Sequence, residues 1–291
     1  MAQGGSSGSR PCAHTAAMTD GGAGSERHDV LLEVDGDGVA TITLNRPQQR
    51  NALSARLQRE LREVILECEA RDDVRCMVIT GSGAAFCAGI DLKEFSNAAK
   101  GGVDPRARDG GPREVKTHGI FHGRTKLLIG AVNGPAVTGG LELALNCDFL
   151  IASTRASFAD THARVGIMPG WGLTLLLPQW VGVPRARQMS VTGDYVRAAQ
   201  ALSWGLVNEV VEPDQLLART KAIAKTSASI ETRAVCHMLA TYEATTGGTT
   251  HEAWTTEQQM KRQYAESGRA DVAGKFEAIR TRGAAQQRAK L

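Results

Sequence analysis

The stretch Ala131-Val132-Asn133-Gly134-Pro135-Ala136-Val137-Thr138-Gly139-Gly140-Leu141-Glu142-Leu143-Ala144 decides how this chain is read. The apolar run Leu127–Val132 predicts a strand, Asn133-Gly134-Pro135 turns the chain, and Gly139-Gly140 opens a helix expected to run through 147. A glycine pair where a strand gives way to a helix lets the backbone come close to a ligand. The first N–H groups of the helix have no internal acceptor and carry partial positive charge. Glu142 falls in that first turn, where acids are also common simply because they complement the helix dipole.

A second segment of the same kind lies upstream. Cys76-Met77-Val78-Ile79-Thr80 reads as a short apolar strand, closed by Gly81-Ser82-Gly83 and followed by Cys87-Ala88-Gly89-Ile90-Asp91. Two N–H donors from two such loops could hold one oxyanion, and a donor of that kind is typically worth about 3–4 kcal/mol in a transition state. Each motif alone also fits a blander role, a glycine that only lets a helix start in a tightly packed place.

Working outward, Val30–Val34 and Val39–Leu44 flank Asp35-Gly36-Asp37-Gly38 and predict a hairpin. Leu57, Leu61, Val64, Ile65 and Cys68 recur at helical spacing over 54–70. Residues 97–112 read as a loop rich in Gly, Ala and charge, and a helix is expected from about 113 to 125 before the strand at 127. Phe149–Ala152 is a further strand, short helices and strands mix to about 210, and the pattern is helical from 213. Alternating strands and helices predict a layered α/β core. The expected organisation is a disordered extension over 1–27, a core over 28–212 and a helical region over 213–291.

Bulk properties exclude several classes. Net charge is +3 and the positive residues are scattered, which does not make a nucleic-acid footprint. No apolar run reaches the ~18 residues of a membrane span. Residues 1–27 have no apolar core of a signal peptide, although Arg10 and Arg27 with few acids leave a transit-peptide reading open. Cys12, Cys68, Cys76, Cys87, Cys147 and Cys236 include no CxxC pair, so they are read as reduced, mostly buried thiols in a reducing, cytoplasmic setting. His118 and His122 have the i, i+4 spacing that can bind zinc, but no third ligand accompanies them and no metal is expected.

Taken in order, the motifs resemble the crotonase (enoyl-CoA hydratase/isomerase) family. The resemblance runs through Leu44-Asn45-Arg46-Pro47 and Arg50-Asn51-Ala52-Leu53, then Phe86 to Leu92, then Ala131 to Ala144. Cys147-Asp148-Phe149, Pro169-Gly170, Thr192-Gly193-Asp194 and Ala198 to Val207 follow in family order, so that it covers roughly 30–282. It implies a spiral of β-β-α units with a helical C-terminal region used in trimerisation, as a homotrimer or a hexamer of paired trimers. It also implies an acyl-coenzyme A thioester as substrate, with coenzyme A entering only as part of that substrate and no separate cofactor. The oxyanion N–H groups would be those of Ile90 and Gly139, and Glu142 would be the glutamate that handles the attacking water. Substrate contacts would fall at Arg50, Ala52, Ala88, Gly89, Asp91, Leu92, Gly140 and Trp171, the last narrowing the acyl pocket or simply packing in the core. The helix around Gly274-Lys275-Phe276 would add Phe276 and Arg280 to the coenzyme A site. The basic residue common just before Arg280 is Ile279 here, a position for which Arg280 or Arg282 could substitute.

One departure stands out. Hydratases of the family place a second glutamate twenty residues after the first, and that count lands on His162. Histidine can act as acid or base near neutral pH. Asp160 lies two residues away, and an extended segment would put both on one face, with Arg164 continuing it and favouring a carboxylate-bearing acyl group. The expected function is hydration of a 2-enoyl-CoA through a stabilised enolate, with Glu142 activating water and His162, with Asp160, supplying the α-proton. The alternatives are double-bond isomerisation, thioester hydrolysis, C–C cleavage, or acyl-CoA binding without turnover.

Overall fold

The computed structural model describes residues 28–100, 120–121, 123–242 and six single positions beyond them (254, 255, 258, 262, 281 and 285). The expected extension over 1–27, His118, His122, Phe276 and Arg280 lie outside the described residues.

The chain begins with the expected hairpin, β1 (Val30–Val34) against β2 (Val39–Leu44), with Val30 opposite Leu44. Its turn is closed by Asp35, whose carboxylate accepts from the Asp37 and Val39 N–H groups. A 3-10 turn, Pro47–Gln49, leads to α1 (Ala55–Ala70). Ser54 starts that helix by accepting from the Leu57 N–H, the usual service of a serine at an N-cap. Leu57, Leu61, Ile65 and Cys68 form its buried stripe, and Val64 packs half-buried beside them.

Then follow β3 (Cys76–Gly81), α2 (Leu92–Lys100), β4 (Leu127–Val132), β5 (Pro135–Val137) and α3 (Gly139–Leu145). After them come β6 (Phe149–Ser153), β7 (Ser157–Ala159) and α4 (His162–Val165). The series closes with α5 (Leu173–Val181), α6 (Val183–Thr192), β8 (Val196–Arg197), α7 (Ala198–Trp204), β9 (Glu209–Val211) and α8 (Leu216–Ala228).

Two sheets result. The larger has the order β1-β2-β3-β4-β6-β9, parallel after the first pair, and the smaller joins β5-β7-β8. β4-β5-α3 and β6-β7-α4 are consecutive β-β-α units, each giving one strand to each sheet. The turn before them conforms, because Cys87 forms an isolated parallel bridge with Ala136 of β5.

The apolar runs of β3 and β4 reflect burial on both faces, the usual condition of parallel strands. Met77, Ile79, Leu128 and Val132 face a core shared with α1, α3 and α5. Cys76, Val78, Leu127, Ile129 and Ala131 face a second apolar layer closed by Leu216, Ala224 and Ala228 of α8. Cys68, Cys76, Cys87 and Cys147 are buried free thiols, and burial pushes their pKa values up, to about 12 at Cys87, so they stay protonated. Among the described residues no helix is long and apolar enough to cross a membrane.

Three local expectations are corrected. α2 continues to Lys100, into the stretch expected as loop. The helix expected over 113–125 has no helical residue where its end is described, since 120, 121 and 123–125 are turn or irregular. α3 stops at Leu145 rather than 147, where Asn146 takes over as its cap.

Candidate active site

Backbone geometry brings the two glycine-marked loops together. Leu53 and Ile90 form an isolated parallel bridge in which the Leu53 N–H donates to Gly89 C=O and the Asp91 N–H donates to Leu53 C=O. That pattern turns the N–H of Ile90 itself away from Leu53. Gly139 is the first residue of α3, so its N–H has no intrahelical acceptor. A Cβ on Gly139 would stand 3.7 Å from the Ile90 nitrogen, which makes the two amides neighbours.

The glycines permit this approach. Gly89 has φ +87°, and a Cβ there would come within 2.6 Å of Val137 O. A Cβ on Gly140 would collide with the carbonyl of Cys87. Thr138, just before Gly139, has φ 55° and ψ −115°, an uncommon conformation for a β-branched residue. It is held there because its N–H donates to Ala159 C=O, and its hydroxyl pairs with that of Thr161.

α3 is buried along its whole length and carries Glu142 inward, 4% exposed. Oε1 of Glu142 accepts from two successive backbone N–H groups, Gly170 at 3.0 Å and Trp171 at 2.7 Å. Its Oε2 lies 3.3 Å from Nε2 of His162. The other ring nitrogen of His162, Nδ1, is 2.7 Å from Oδ1 of Asp160. A carboxylate only accepts, so Nδ1 carries a proton and donates to Asp160. The result is a buried Glu142–His162–Asp160 row.

Burial alone would discharge His162, but the Glu142 charge and the hydrogen bonds to Asp160 and Glu142 outweigh it and raise its pKa to about 9. Burial also pushes Asp160 upward. Hydrogen bonds from His162 and Ser190, with the His162 charge, prevail and hold its carboxyl below the usual range.

The pairing of Asp160 with His162 does not come from alternation along a strand. His162 starts the short helix α4, and Asp160 just before it folds its carboxylate over that start, accepting from the His162 N–H at 3.1 Å. Arg164 consequently leaves the row and donates to Thr192 C=O at the C-terminal end of α6.

The remaining expected contact residues are arranged around the two loops. Arg50 is exposed with φ 51°, and its carbonyl accepts from the Ala88 N–H. The carboxylate of Asp91 pairs with Arg46 at 3.0 Å and accepts from the Glu94 N–H at the start of α2. Arg46 also donates to Ala52 C=O, fastening the Arg50–Leu53 strip to the first loop. Leu92 and Ile90 pack on Phe95, Val165 and Ile167, linking that loop to α4. Trp171 is half-buried against the main core.

Sequence reasoning missed the two amides that hold Glu142, because a backbone donor leaves no side-chain signature. It also missed Asn146, whose side-chain amide donates to Glu142 C=O and to Trp171 C=O, both at 2.8 Å.

The profile of the enoyl-CoA hydratase/isomerase family matches residues 35–274. The chain belongs to that family. Probable enoyl-CoA hydratase 1, peroxisomal, from Arabidopsis thaliana is 37% identical over 196 residues, 67% of this chain and 71% of the relative. The crystal structure of enoyl-CoA hydratase from Mycobacterium smegmatis superposes with a TM-score of 0.73 at 44% identity, covering 82% of this chain and 99% of the other. Family members differ in chemistry: 4-chlorobenzoyl coenzyme A dehalogenase-2 from Arthrobacter sp is 34% identical over 199 residues, 67% of this chain and 71% of the relative. The enoyl-CoA hydratase/isomerase fold therefore sets the frame, and the Glu142–His162–Asp160 row carries the argument about the reaction.

Proposed function

We propose that this protein is an enoyl-CoA hydratase in which His162 takes the role of the second family glutamate. The observation that carries this reading is the placing of both oxygens of Glu142: one held by two amides, the other beside a histidine that the neighbouring carboxylates keep protonated against its burial.

The thioester oxygen of a 2-enoyl-CoA lies between the N–H groups of Ile90 and Gly139, which stabilise the enolate as it forms. Glu142, whose Oε2 keeps a lone pair beside its contact with His162, takes a proton from water as the hydroxyl bonds to the β-carbon. The His162 imidazolium gives its Nε2 proton to the α-carbon. The proton on Glu142 then passes to the neutral His162 across their 3.3 Å contact, restoring both groups, with one water added overall. Asp160 keeps Nδ1 protonated and the ring oriented, and it touches no reacting atom.

Arg50, Ala52, Ala88, Gly89, Asp91, Leu92 and Gly140 form the strip along which the coenzyme A runs, with Phe276 and Arg280 completing its site and no further cofactor required. Trp171 bounds the acyl pocket. Residues 28–212 form the catalytic core, 213–291 the region for assembly into trimers or hexamers, and the protein works in the cytoplasm, consistent with its buried reduced thiols.

Loss of the conjugated thioester absorbance of crotonyl-CoA and of longer enoyl-CoAs tests the reading. Glu142→Gln and His162→Gln are each expected to lower kcat by roughly 10²–10⁴-fold. Full activity in His162→Gln would remove the histidine from the chemistry. Exchange of the α-hydrogen with solvent without hydration would move the reading to isomerisation, and binding without either would leave an acyl-CoA-binding protein.

A further inference from the structure

We infer that Gln258, in the C-terminal segment, is a positioning residue for Glu142, acting through the peptide group between Gly170 and Trp171. The side-chain amide of Gln258 donates to Gly170 C=O at 2.9 Å. The N–H of that same peptide group, on Trp171, donates to Glu142 Oε1 at 2.7 Å. A donor on the carbonyl side of an amide polarises it and makes its N–H a stronger donor, an effect of about 10–30% per bond. Gln258, the 170–171 peptide and the carboxylate thus form one continuous chain of hydrogen bonds.

Two neighbouring contacts keep this peptide in place. Asn146 holds the next carbonyl, that of Trp171. Trp254, four residues before Gln258, lies close over Gly172, where a Cβ would stand 3.0 Å from the indole ring. Gly172 has φ +90°, so glycine is needed there for conformation as well as space. Trp254 and Gln258 are therefore seated on the loop that fixes the catalytic carboxylate. A residue 88 positions away from Gly170 contributes to the geometry of the site. The functional part of this inference rests on the hydratase reading; the contact itself does not.

The test compares full-length Gln258→Met, Gln258→Glu and Gln258→Lys. Loss of the donor in the Met and Glu variants is expected to lower kcat roughly 5- to 10-fold with KM within about twofold. The Lys variant, which keeps a donor on a flexible stem, should recover most of that loss. The Trp171 amide proton, followed by NMR in 15N-labelled protein, should move upfield in the Met and Glu variants and much less in the Lys variant. Equal losses in the Met and Lys variants would show that side-chain packing rather than donation matters, and would overturn the inference. So would an unmoved Trp171 amide or a wild-type kcat in Gln258→Glu, which preserves side-chain size and keeps the test open should Gln258→Met not fold. If instead Glu142→Gln turned over like the wild type, the hydratase reading would fail while the amide shift still reported the Gln258 contact.

Discussion

His162 is buried between two carboxylates, and their pull on its proton outweighs the effect of burial on its charge state. Protonated below about pH 9, it is an acid at neutral pH, and in the proposed mechanism deprotonation removes the proton destined for the α-carbon. The kcat profile should accordingly fall as pH rises through about 9. Asp160→Asn takes away one of the two charges that raise the histidine, so the alkaline limb should move down by about one unit or more. A pH–rate series on both proteins checks this, and an alkaline limb unmoved in Asp160→Asn would separate Asp160 from His162. Glu142 and His162 were singled out in the sequence through glycine marking and the twenty-residue spacing that the family resemblance implies. Their coupling was not, because it needs α3 and α4 to converge. Asp160 was expected beside His162 through strand alternation, whereas in the structure it meets His162 by folding its carboxylate over the start of α4. Gly170, Trp171 and Gln258 act through peptide groups or across long separations, and neither leaves a local pattern.

At the scale of elements, the site depends on how two loops are stitched together. Asn51 is fully buried with φ 56°; its side-chain amide donates to Ser82, Ala85 and Phe86 carbonyls and its Oδ1 accepts from the Arg46 N–H. Asn51→Ala leaves buried carbonyls without their donor and puts a less tolerant residue in a left-handed conformation, at a combined cost of about 2–4 kcal/mol. Urea unfolding should show that loss as a lower midpoint at unchanged slope. Gly140→Ala acts differently. Its methyl group must displace the Cys87 carbonyl, separating the loops that carry Ile90 and Gly139. Displacement of about 1 Å is enough to cost roughly 10²-fold in rate, so kcat should drop that far while far-UV circular dichroism stays native. The hairpin, α1 and the strand runs were readable because each is written in a local period or a cap. The helix expected over 113–125 failed where it is described because local composition there did not report the turn that feeds β4.

For the whole molecule, the same buried row links stability to pH. The His162 pKa is raised on folding from 6.5 to about 9, so its contribution, on the order of 3 kcal/mol, is complete below about pH 6.5 and lost as pH climbs through 9. Asp160 is shifted the other way, so its contribution is present above about 3.8 and fades as pH falls below that value. Thermal melts should therefore show a plateau from about pH 3.8 to about 6.5 that sags between about 6.5 and 9, and His162→Gln should flatten the alkaline side. The large sheet has a different consequence, for synthesis. Its strands β2, β3 and β4 are complete by Val132, yet the apolar layer on one face is closed by α8, which ends at Ala228. At about 5–20 residues per second, a ribosome needs roughly 5–20 s to make the intervening stretch. For that interval Val39, Val78, Ile129 and Ala131 are bare on the nascent chain, a greasy face on offer to chaperones or to a neighbouring nascent chain before its own helix arrives.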